Sequence, residues 1–550
     1  MRPEGCEADV LRALGSMPFI DRVDLVAVTG RSKGAVYGAV ERLDGGGLCD
    51  AVTHATEQFP PTERFHLTAA GVHRLAEQEG EPMEEIVRAK PVSARWRRVL
   101  MERLDALAVI YRLAATVSGV TFPMRFRWYR SLKLDAAMEL PGGRTVGVVR
   151  RGGTADRSVF SNRMWRLRDE PLPGAVLVLA PDAVQLRHSR RSLDGFPAPV
   201  FLAVESEAVA ATPDAPAWFP QALGNAIDLR AVLDSLEEGS ALPEEAEAHR
   251  VSLPADFAVE GRGWSVPDHL LPATLRPAEK RAVDLISDWP WIALRDLAGL
   301  MGVSHQRVSQ VVIPLEALKL VVRPADAGGR LALTDRALTL LARRDRTSTG
   351  IAKKRWSASP LFPRSELTWD NVTGARTRQL LRNVEHTAAV HAFLSSMTTQ
   401  AALLGWNVVQ LDPPRRASRY FRHDERMRSV NPDAFGVLRR GDRTWPFFLE
   451  WERRAVRPST MSSRLAPYLR YYSSHRPTDD HGVRPSVLIV FDDETAHTRF
   501  LRLAREEMEA KDATIPLWVS HGRAVEELGP LGRAWRTPGD WELPQVLPHK

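Results

Sequence analysis

Pro18-Phe-Ile-Asp-Arg-Val-Asp-Leu-Val-Ala-Val-Thr-Gly30 has a counterpart in Pro290-Trp-Ile-Ala-Leu-Arg-Asp-Leu-Ala-Gly-Leu-Met-Gly302, and the two align without a gap. The correspondence continues outward. Ser32 falls on Ser304, Val36 on Val308, Val40 on Val312, Leu43 on Leu315 and Leu48 on Leu320. After a short gap, Leu67-Thr68 falls on Leu333-Thr334 and Leu75 on Leu341. Matches in fixed order over this length mark an internal duplication. Each copy predicts a winged helix-turn-helix. A short helix over 24–28 is broken by Gly30, and Ser32 N-caps a second helix whose Val36, Val40 and Leu43 share a buried face. The segments before Leu67-Thr68 and Leu333-Thr334 read as wing strands, with the threonine capping a closing helix. Pro314 lies inside the second recognition helix and predicts a kink or stop about a turn early.

In such a motif the second helix enters a major groove. The face left exposed carries Arg31, Lys33, Tyr37 and Arg42 in the first copy, and Ser304, His305, Gln306, Arg307 and Gln310 in the second. Arg, Gln and His at these places reach bases or phosphates. A winged helix also serves as a protein-interaction or dimerisation module, and the motif by itself leaves both uses open.

The whole chain has 550 residues, enough for three or four domains. Hydrophobic residues are 44% and charged residues 26%, a balance that can bury several cores. Cys6 and Cys49 are the only cysteines, too few for a disulfide framework or a Cys-rich zinc site. The N-terminus lacks an apolar stretch of signal-peptide type, and no apolar run reaches membrane-spanning length. A cytoplasmic protein with no membrane partner is the expectation. The net charge of +7 is modest, and nearly all the basic residues are Arg, with nine Lys. Coding bias explains that usage as well as function does, although Arg grips phosphate and guanine better than Lys.

Each winged helix is followed by alternating strands and helices, which predicts a mixed α/β sheet. In the C-terminal half a helix around 379–404 leads to the strand 406–411. Asn431-Pro-Asp433-Ala-Phe-Gly-Val-Leu438 and Trp445-Pro-Phe-Phe-Leu-Glu-Trp-Glu452 then form a hairpin about Gly441-Asp442. Glu450 and Glu452 alternate along one strand and so point to one face. With Asp433 from the neighbouring strand they are candidates to hold Mg²⁺ and activate water for phosphodiester cleavage. Glu385 on the preceding helix is a further candidate ligand. In the alternative, Asp433 caps a turn and the two glutamates form a solvated strand face.

This pattern resembles the core of the PD-(D/E)xK nuclease superfamily, with Glu452 where a Lys usually stands. Arg453, Arg454 or Arg464 would then have to supply the positive charge, since Lys511 is the only Lys between Lys354 and Lys550. A winged helix followed by a basic linker, Asn431-Pro-Asp433, Phe448-Leu-Glu-Trp-Glu452 and the Arg464–Tyr468 helix is similar to the replication-relaxation family of plasmids and mobile elements. The resemblance covers residues 280–520 well and residues 10–190 only through the repeat. It implies a role in plasmid replication and DNA relaxation, double-stranded plasmid DNA as partner, and replication or mobilisation proteins alongside it. It further implies a restriction-endonuclease-like lobe, in which the residues read above make Asp433, Glu450, Glu452 and Arg464 the candidate catalytic groups and Asp433, Glu450 and Glu385 the candidate Mg²⁺ ligands. A catalytically inactive DNA-binding scaffold or transcriptional regulator is the competing reading.

The N-terminal half repeats the layout in degenerate form. Leu134-Asp135 matches Pro432-Asp433 and Arg163 matches Arg464, but Val149 and Arg151 stand where Glu450 and Glu452 should be. A strip of Arg125, Arg127, Arg130 and Lys133 with aromatic residues between suits a nucleic-acid backbone, or an edge strand with one apolar face. The expected order is a winged helix (5–80), a degenerate α/β domain (95–232), an acidic, Pro-rich linker (233–277), a second winged helix (278–345), a basic linker (346–376), the nuclease-like domain (377–522) and an irregular tail (523–550). Lys353, Lys354 and Arg355 in the basic linker are candidate phosphate contacts. No phosphate loop, dinucleotide fingerprint, His-Glu-x-x-His zinc helix or relaxase-type His cluster is present.

Overall fold

A computed structural model describes residues 5–539 apart from 131–132, 156, 223, 239–241, 245–265, 325–327, 363–364 and 454–456. The chain is mixed α/β, as expected, with several sheets. It divides into two compact units, Met1–Lys280 with Thr339–Thr349, and Arg281–Leu338 with Gly350–Lys550.

Unit 1 opens with helices Cys6–Ser16, Arg22–Thr29 and Lys33–Gly45. Strands β1 (Ile20–Asp21), β2 (Cys49–His54) and β3 (Thr62–Leu67) form an antiparallel sheet, and helix Ala69–Glu79 follows. Local chemistry sets the boundaries. The Asp21 carboxylate accepts from the Asp24 N–H at 2.9 Å and starts the second helix. Gly30, at φ 62°, ends it in the left-handed conformation that glycine tolerates best. The Ser32 hydroxyl caps the third helix through the Ala35 N–H, and Val36, Val40 and Leu43 are buried beneath it.

A six-stranded sheet occupies the rest of unit 1. Its strands are β4 (Arg125–Trp128), β5 (Ala136–Leu140), β6 (Arg144–Arg150), β7 (Ala175–Ala180), β8 (Val200–Val204) and β9 (Phe219–Pro220), ordered as they occur in the chain. β6, β7 and β8 run parallel, linked by helices Arg157–Leu167 and Ala183–Ser192. β7 reads Ala-Val-Leu-Val-Leu-Ala and is buried along its length, as a strand covered on both faces must be. β4 is an edge strand whose Arg125 and Arg127 are exposed while Phe126 and Trp128 pack on Tyr111. Its basic strip therefore has the alternation of an edge strand with one apolar face.

Unit 2 carries helices Leu294–Met301 and His305–Ala317, the short pair β10 (Val321–Val322) and β11 (Ala332–Leu333), and helix Asp335–Arg344, which continues into the first unit. Trp291 has φ 68° and donates its N–H to the Leu331 carbonyl at 2.7 Å. At the aligned position in unit 1, Phe19 has φ 67° and donates to Phe65 at 2.6 Å. Thr334 bonds the Leu320 carbonyl and Thr68 the Leu48 carbonyl, both at 3.0 Å. Ser304 caps His305–Ala317 as Ser32 caps its helix, through the Arg307 N–H at 3.2 Å. Pro314 does not end this helix as expected. The helix runs on to Ala317, anchored by buried Leu315 and closed by the Leu318 N–H on the Pro314 carbonyl at 2.9 Å. So close to a terminus, the proline costs one backbone bond and no more of the helix.

The second sheet contains β12 (Asn407–Asp412), β15 (Ala434–Arg440), β16 (Arg443–Glu452), β17 (Ser486–Phe491) and β18 (Leu517–His521), in that spatial order. Between β12 and β15 the chain makes a separate ribbon, β13 (Arg419–His423) with β14 (Arg426–Val430). Helix Pro458–Tyr472 joins β16 to the parallel β17, and helix Glu494–Ala510 joins β17 to the parallel β18. The helix expected around 379–404 is two, Ala375–Arg382 and Val384–Leu403, broken at Asn383.

The described parts of the three segments expected as linkers or tail hold regular elements or buried residues. In the basic stretch, Thr349–Trp356 is helical, and Ala358 and Val372 join Trp291, Ala332 and Leu381 in a small core. Trp291 also donates from Nε1 to the Thr377 carbonyl at 2.8 Å. A few small apolar residues in a polar run were enough to fill the space beside one indole. Of the acidic linker, residues 245–265 lie outside the described residues, and Leu270, Leu271 and Leu275 beyond them are buried. The tail begins as helix Gly522–Leu528 and buries Trp535, while residues 540–550, like Arg454, lie outside the described residues. Among the described residues no helix is long and apolar enough to cross a membrane.

Candidate functional site

The β15–β16 register pairs Ala434 with Leu449, which sets Asp433 across from Glu450. Asp433 donates its N–H to the Leu449 carbonyl at 2.9 Å, and its Oδ2 accepts from the Trp451 N–H at 2.8 Å. Glu450 and Glu452 share one strand face, as their spacing requires. They line a small cleft together with Met461, Arg464, Tyr468 and Phe491. The sequence-predicted acids are therefore brought together and are not a solvated strand face, since Glu450 is 9% and Glu452 8% exposed.

Each acid has one partner that determines its state. Tyr468 donates its hydroxyl to Glu450 Oε1 at 2.7 Å. Arg464 Nε meets Glu452 Oε1 at 2.7 Å. Tyr468 and Arg464 lie four apart on helix Pro458–Tyr472, hence on the same side of it. His386 Nε2 lies 3.0 Å from Asp433 Oδ1. Burial first, then Asp433 and Glu452, push the Glu450 carboxyl well above the usual carboxylate range despite the tyrosine bond. Burial also raises Glu452, with Asp433 adding to it and Arg464 opposing. The His386 imidazole is raised, chiefly by its hydrogen bond to Asp433.

Glu385, expected as a metal ligand, is instead largely exposed and paired with Arg453 at 2.5 Å. Arg453 in turn reaches Asp492 at 3.0 Å. Successive helical residues diverge by about 100°, so the chain delivers His386, the next residue, to Asp433. Among the described residues no group of three or more His, Cys, Asp or Glu side chains is arranged to hold a metal ion. As they stand, the carboxylates are committed to Tyr468, Arg464, His386 and a backbone N–H. That is no ready fit for Mg²⁺.

Unit 1 shows the same register carrying different chemistry. Asp135 donates its N–H to the Val148 carbonyl at 2.8 Å, and its Oδ2 accepts from the Arg150 N–H at 2.7 Å. Val149 is buried in the core, and Arg151 bonds the Gln185 carbonyl and the Ser189 hydroxyl. Asp135 itself is gripped by Arg163 and Arg346, both at 2.8 Å. Burial opposes its ionisation, but the two guanidiniums outweigh burial and hold the carboxyl well below the usual range. Among the described residues two guanidiniums meet Asp135, whereas of Asp433, Glu450 and Glu452 only Glu452 meets one, that of Arg464.

The two capped helices also differ. Around Lys33–Gly45, Arg31 pairs with Asp9 at 2.6 Å and Arg42 with Glu7, while Lys33 sits 5.5 Å from the Tyr37 ring. Helix His305–Ala317 exposes His305, Gln306, Arg307 and Gln310, and among the described residues the Arg307 guanidinium bonds only Gln310, at 3.2 Å. Among the described residues no acidic side chain forms an ion pair with that face. Lys354 and Arg355 are exposed on helix Thr349–Trp356, with Lys353 half-buried beside them.

Residues 295–487 match the replication-relaxation family. The replication-relaxation segment opens inside helix Leu294–Met301 and closes in β17, so it contains the exposed helix and the whole acid cluster. Unit 1 up to Lys280 lies outside it. No curated protein and no solved structure matches the chain.

His386 and Tyr468 are the site residues that sequence reasoning missed. Tyr468 was legible as a neighbour of Arg464 on one helix face. His386 had no local signal, because only the packing of helix Val384–Leu403 brings it to Asp433.

Proposed function

We propose that the chain is a cytoplasmic DNA-binding protein acting in the replication and relaxation of a plasmid or mobile element, and that helix His305–Ala317 is its duplex-contacting element. The observation that carries this reading is the exposed face of His305, Gln306, Arg307 and Gln310, capped by Ser304, without an ion pair to an acid among the described residues and lying within the replication-relaxation segment. Gln and Arg at the first turns of a recognition helix have the donors and acceptors for base edges and phosphates. The two units read as duplicated winged helices with α/β lobes. In that reading unit 1 is the structural copy, since its Arg31 and Arg42 are engaged internally and its Asp135 is saturated. Lys353, Lys354 and Arg355 are proposed as additional phosphate contacts.

The test is an electrophoretic mobility shift with duplex DNA, comparing the intact chain with Gln306→Ala/Arg307→Ala. Each good base contact is worth about 1–3 kcal/mol, so affinity should fall at least tenfold. Equal affinity removes this helix from the interface.

A second reading, Mg²⁺-dependent DNA nicking at Asp433, Glu450, Glu452 and Arg464, draws on the clustered acids of unit 2. It requires Tyr468 and His386 to release Glu450 and Asp433. Nicking of supercoiled plasmid by the intact chain, lost in Asp433→Asn, supports it. An inert wild type leaves the scaffold or regulator reading.

A further inference from the structure

The β13–β14 ribbon belongs to no motif in the sequence, and its position is informative. Unit 1 links β4 to β5 through residues 129–135 alone, whereas unit 2 inserts residues 413–433 between the corresponding strands β12 and β15. The unit that carries the acid cluster is also the one that carries the ribbon, and only Asn431 and Pro432 separate the end of β14 from Asp433.

The ribbon is held firmly on one side. Arg419 is fully buried, with its guanidinium 4.6 Å from the Phe435 ring centre and 5.6 Å from that of Phe448. Phe421 packs on Tyr471 at 5.2 Å, and Val430 is buried. The register pairs Tyr420 with Ser429 and Arg422 with Met427, so these four share the other face. On it Tyr420 is 52% and Met427 67% exposed, and Arg422 is exposed as well. Arg426 is exposed next to the turn, and neither arginine has an ion pair among the described residues. The turn residues Asp424 and Glu425 both have positive φ, 47° and 60°, the conformation of a tight two-residue hairpin. Asp424 is matched by His423 at 3.3 Å.

We infer that this ribbon is a second DNA contact, which lays its Tyr420–Arg422–Met427 face on a duplex and carries that duplex past Asp433. A two-stranded ribbon has the width a major groove admits. Arg422 and Arg426, exposed and without an ion pair among the described residues, give the ribbon cationic contacts for a phosphate backbone, which selects DNA as its partner. The inference rests on the DNA-binding reading above.

Two measurements on the full chain test it, with linear mixed-sequence duplex as the probe. The first is Arg422→Glu/Arg426→Glu, whose side chains are exposed, with circular dichroism as the check on folding. Binding should weaken roughly tenfold or more, and the slope of log affinity against log salt should shrink by about one per lost phosphate contact. The second places a photo-crosslinking residue at Met427, which should label the duplex. If Gln306→Ala/Arg307→Ala abolishes binding while the ribbon variant keeps full affinity and slope and Met427 gives no crosslink, the ribbon inference is overturned alone. If the wild type binds no duplex at low salt, the DNA-binding reading falls and takes the ribbon with it.

Discussion

Asp135 and Asp433 occupy the same place in their hairpins, yet their removal should have opposite consequences. In Asp135→Asn the amide keeps an acceptor for the Arg150 N–H but drops the charge that balances Arg163 and Arg346. Those side chains are only 14% and 13% exposed. Breaking a buried ion pair from one side costs about 3–5 kcal/mol. The lower end applies, because Arg163 keeps the Lys133 carbonyl at 2.5 Å and Arg346 the Leu134 carbonyl at 2.7 Å. Asp433→Asn likewise keeps an acceptor for the Trp451 N–H. It loses a pairing with His386 whose members are 33% and 23% exposed, worth no more than about 1 kcal/mol. It also relieves the repulsion that raises Glu450, so the net change should fall within about 1 kcal/mol of zero. At roughly 2–4 °C per kcal/mol for a unit of this size, Asp135→Asn should lower the melting point by about 6–12 °C and Asp433→Asn by less than about 4 °C. Differential scanning calorimetry of the full chain measures both, with the transitions of the two units read separately. If Asp433→Asn melts as early as Asp135→Asn, Asp433 is a structural cap like its counterpart, and the case for a functional acid cluster fails.

Tyr468→Phe strips Glu450 of its hydroxyl donor in a buried setting and should destabilise unit 2 by about 1–3 kcal/mol in urea denaturation. Glu450→Gln tests the sign of the raised carboxyl. The folded-state value lies above the unfolded one, so wild-type stability is fully present below the ordinary carboxylate pKa near 4.3 and is lost as pH rises through the folded value. The variant should therefore gain on wild type above about pH 4.3, and parallel pH profiles would contradict the assignment. Gly299→Val should loosen helix Leu294–Met301, because a Cβ there already meets Ser395 of helix Val384–Leu403. A loss of about 1–3 kcal/mol is expected, and unchanged stability would mean that the two helices do not pack this closely.

The sequence was most readable where a local rule sets an element boundary. Gly30 and Gly302, Ser32 and Ser304, and Thr68 carry their helix boundaries in single side chains or a single φ, so spacing alone located them. The Asp433, Glu450 and Glu452 cluster was readable because strand alternation and a short hairpin fix register. What escaped depended on distant packing. His386 reaches Asp433 from 47 residues away. Glu385 looked equivalent on the page but turns out to Arg453. The basic stretch read as a linker because its charge masked Ala358 and Val372, whose burial depends on Trp291. The ribbon had no such local signal, since its buried Arg419 is held by the Phe435 and Phe448 rings and by the Arg416 and Ser418 carbonyls.

The most direct test of the account is fluorescence anisotropy of the full chain on duplex DNA across a range of salt, repeated with Gln306→Ala/Arg307→Ala. The account predicts binding that weakens steeply with salt, and a variant that binds at least tenfold more weakly at each concentration. Absence of binding at low salt, or identical curves for the two proteins, would contradict it.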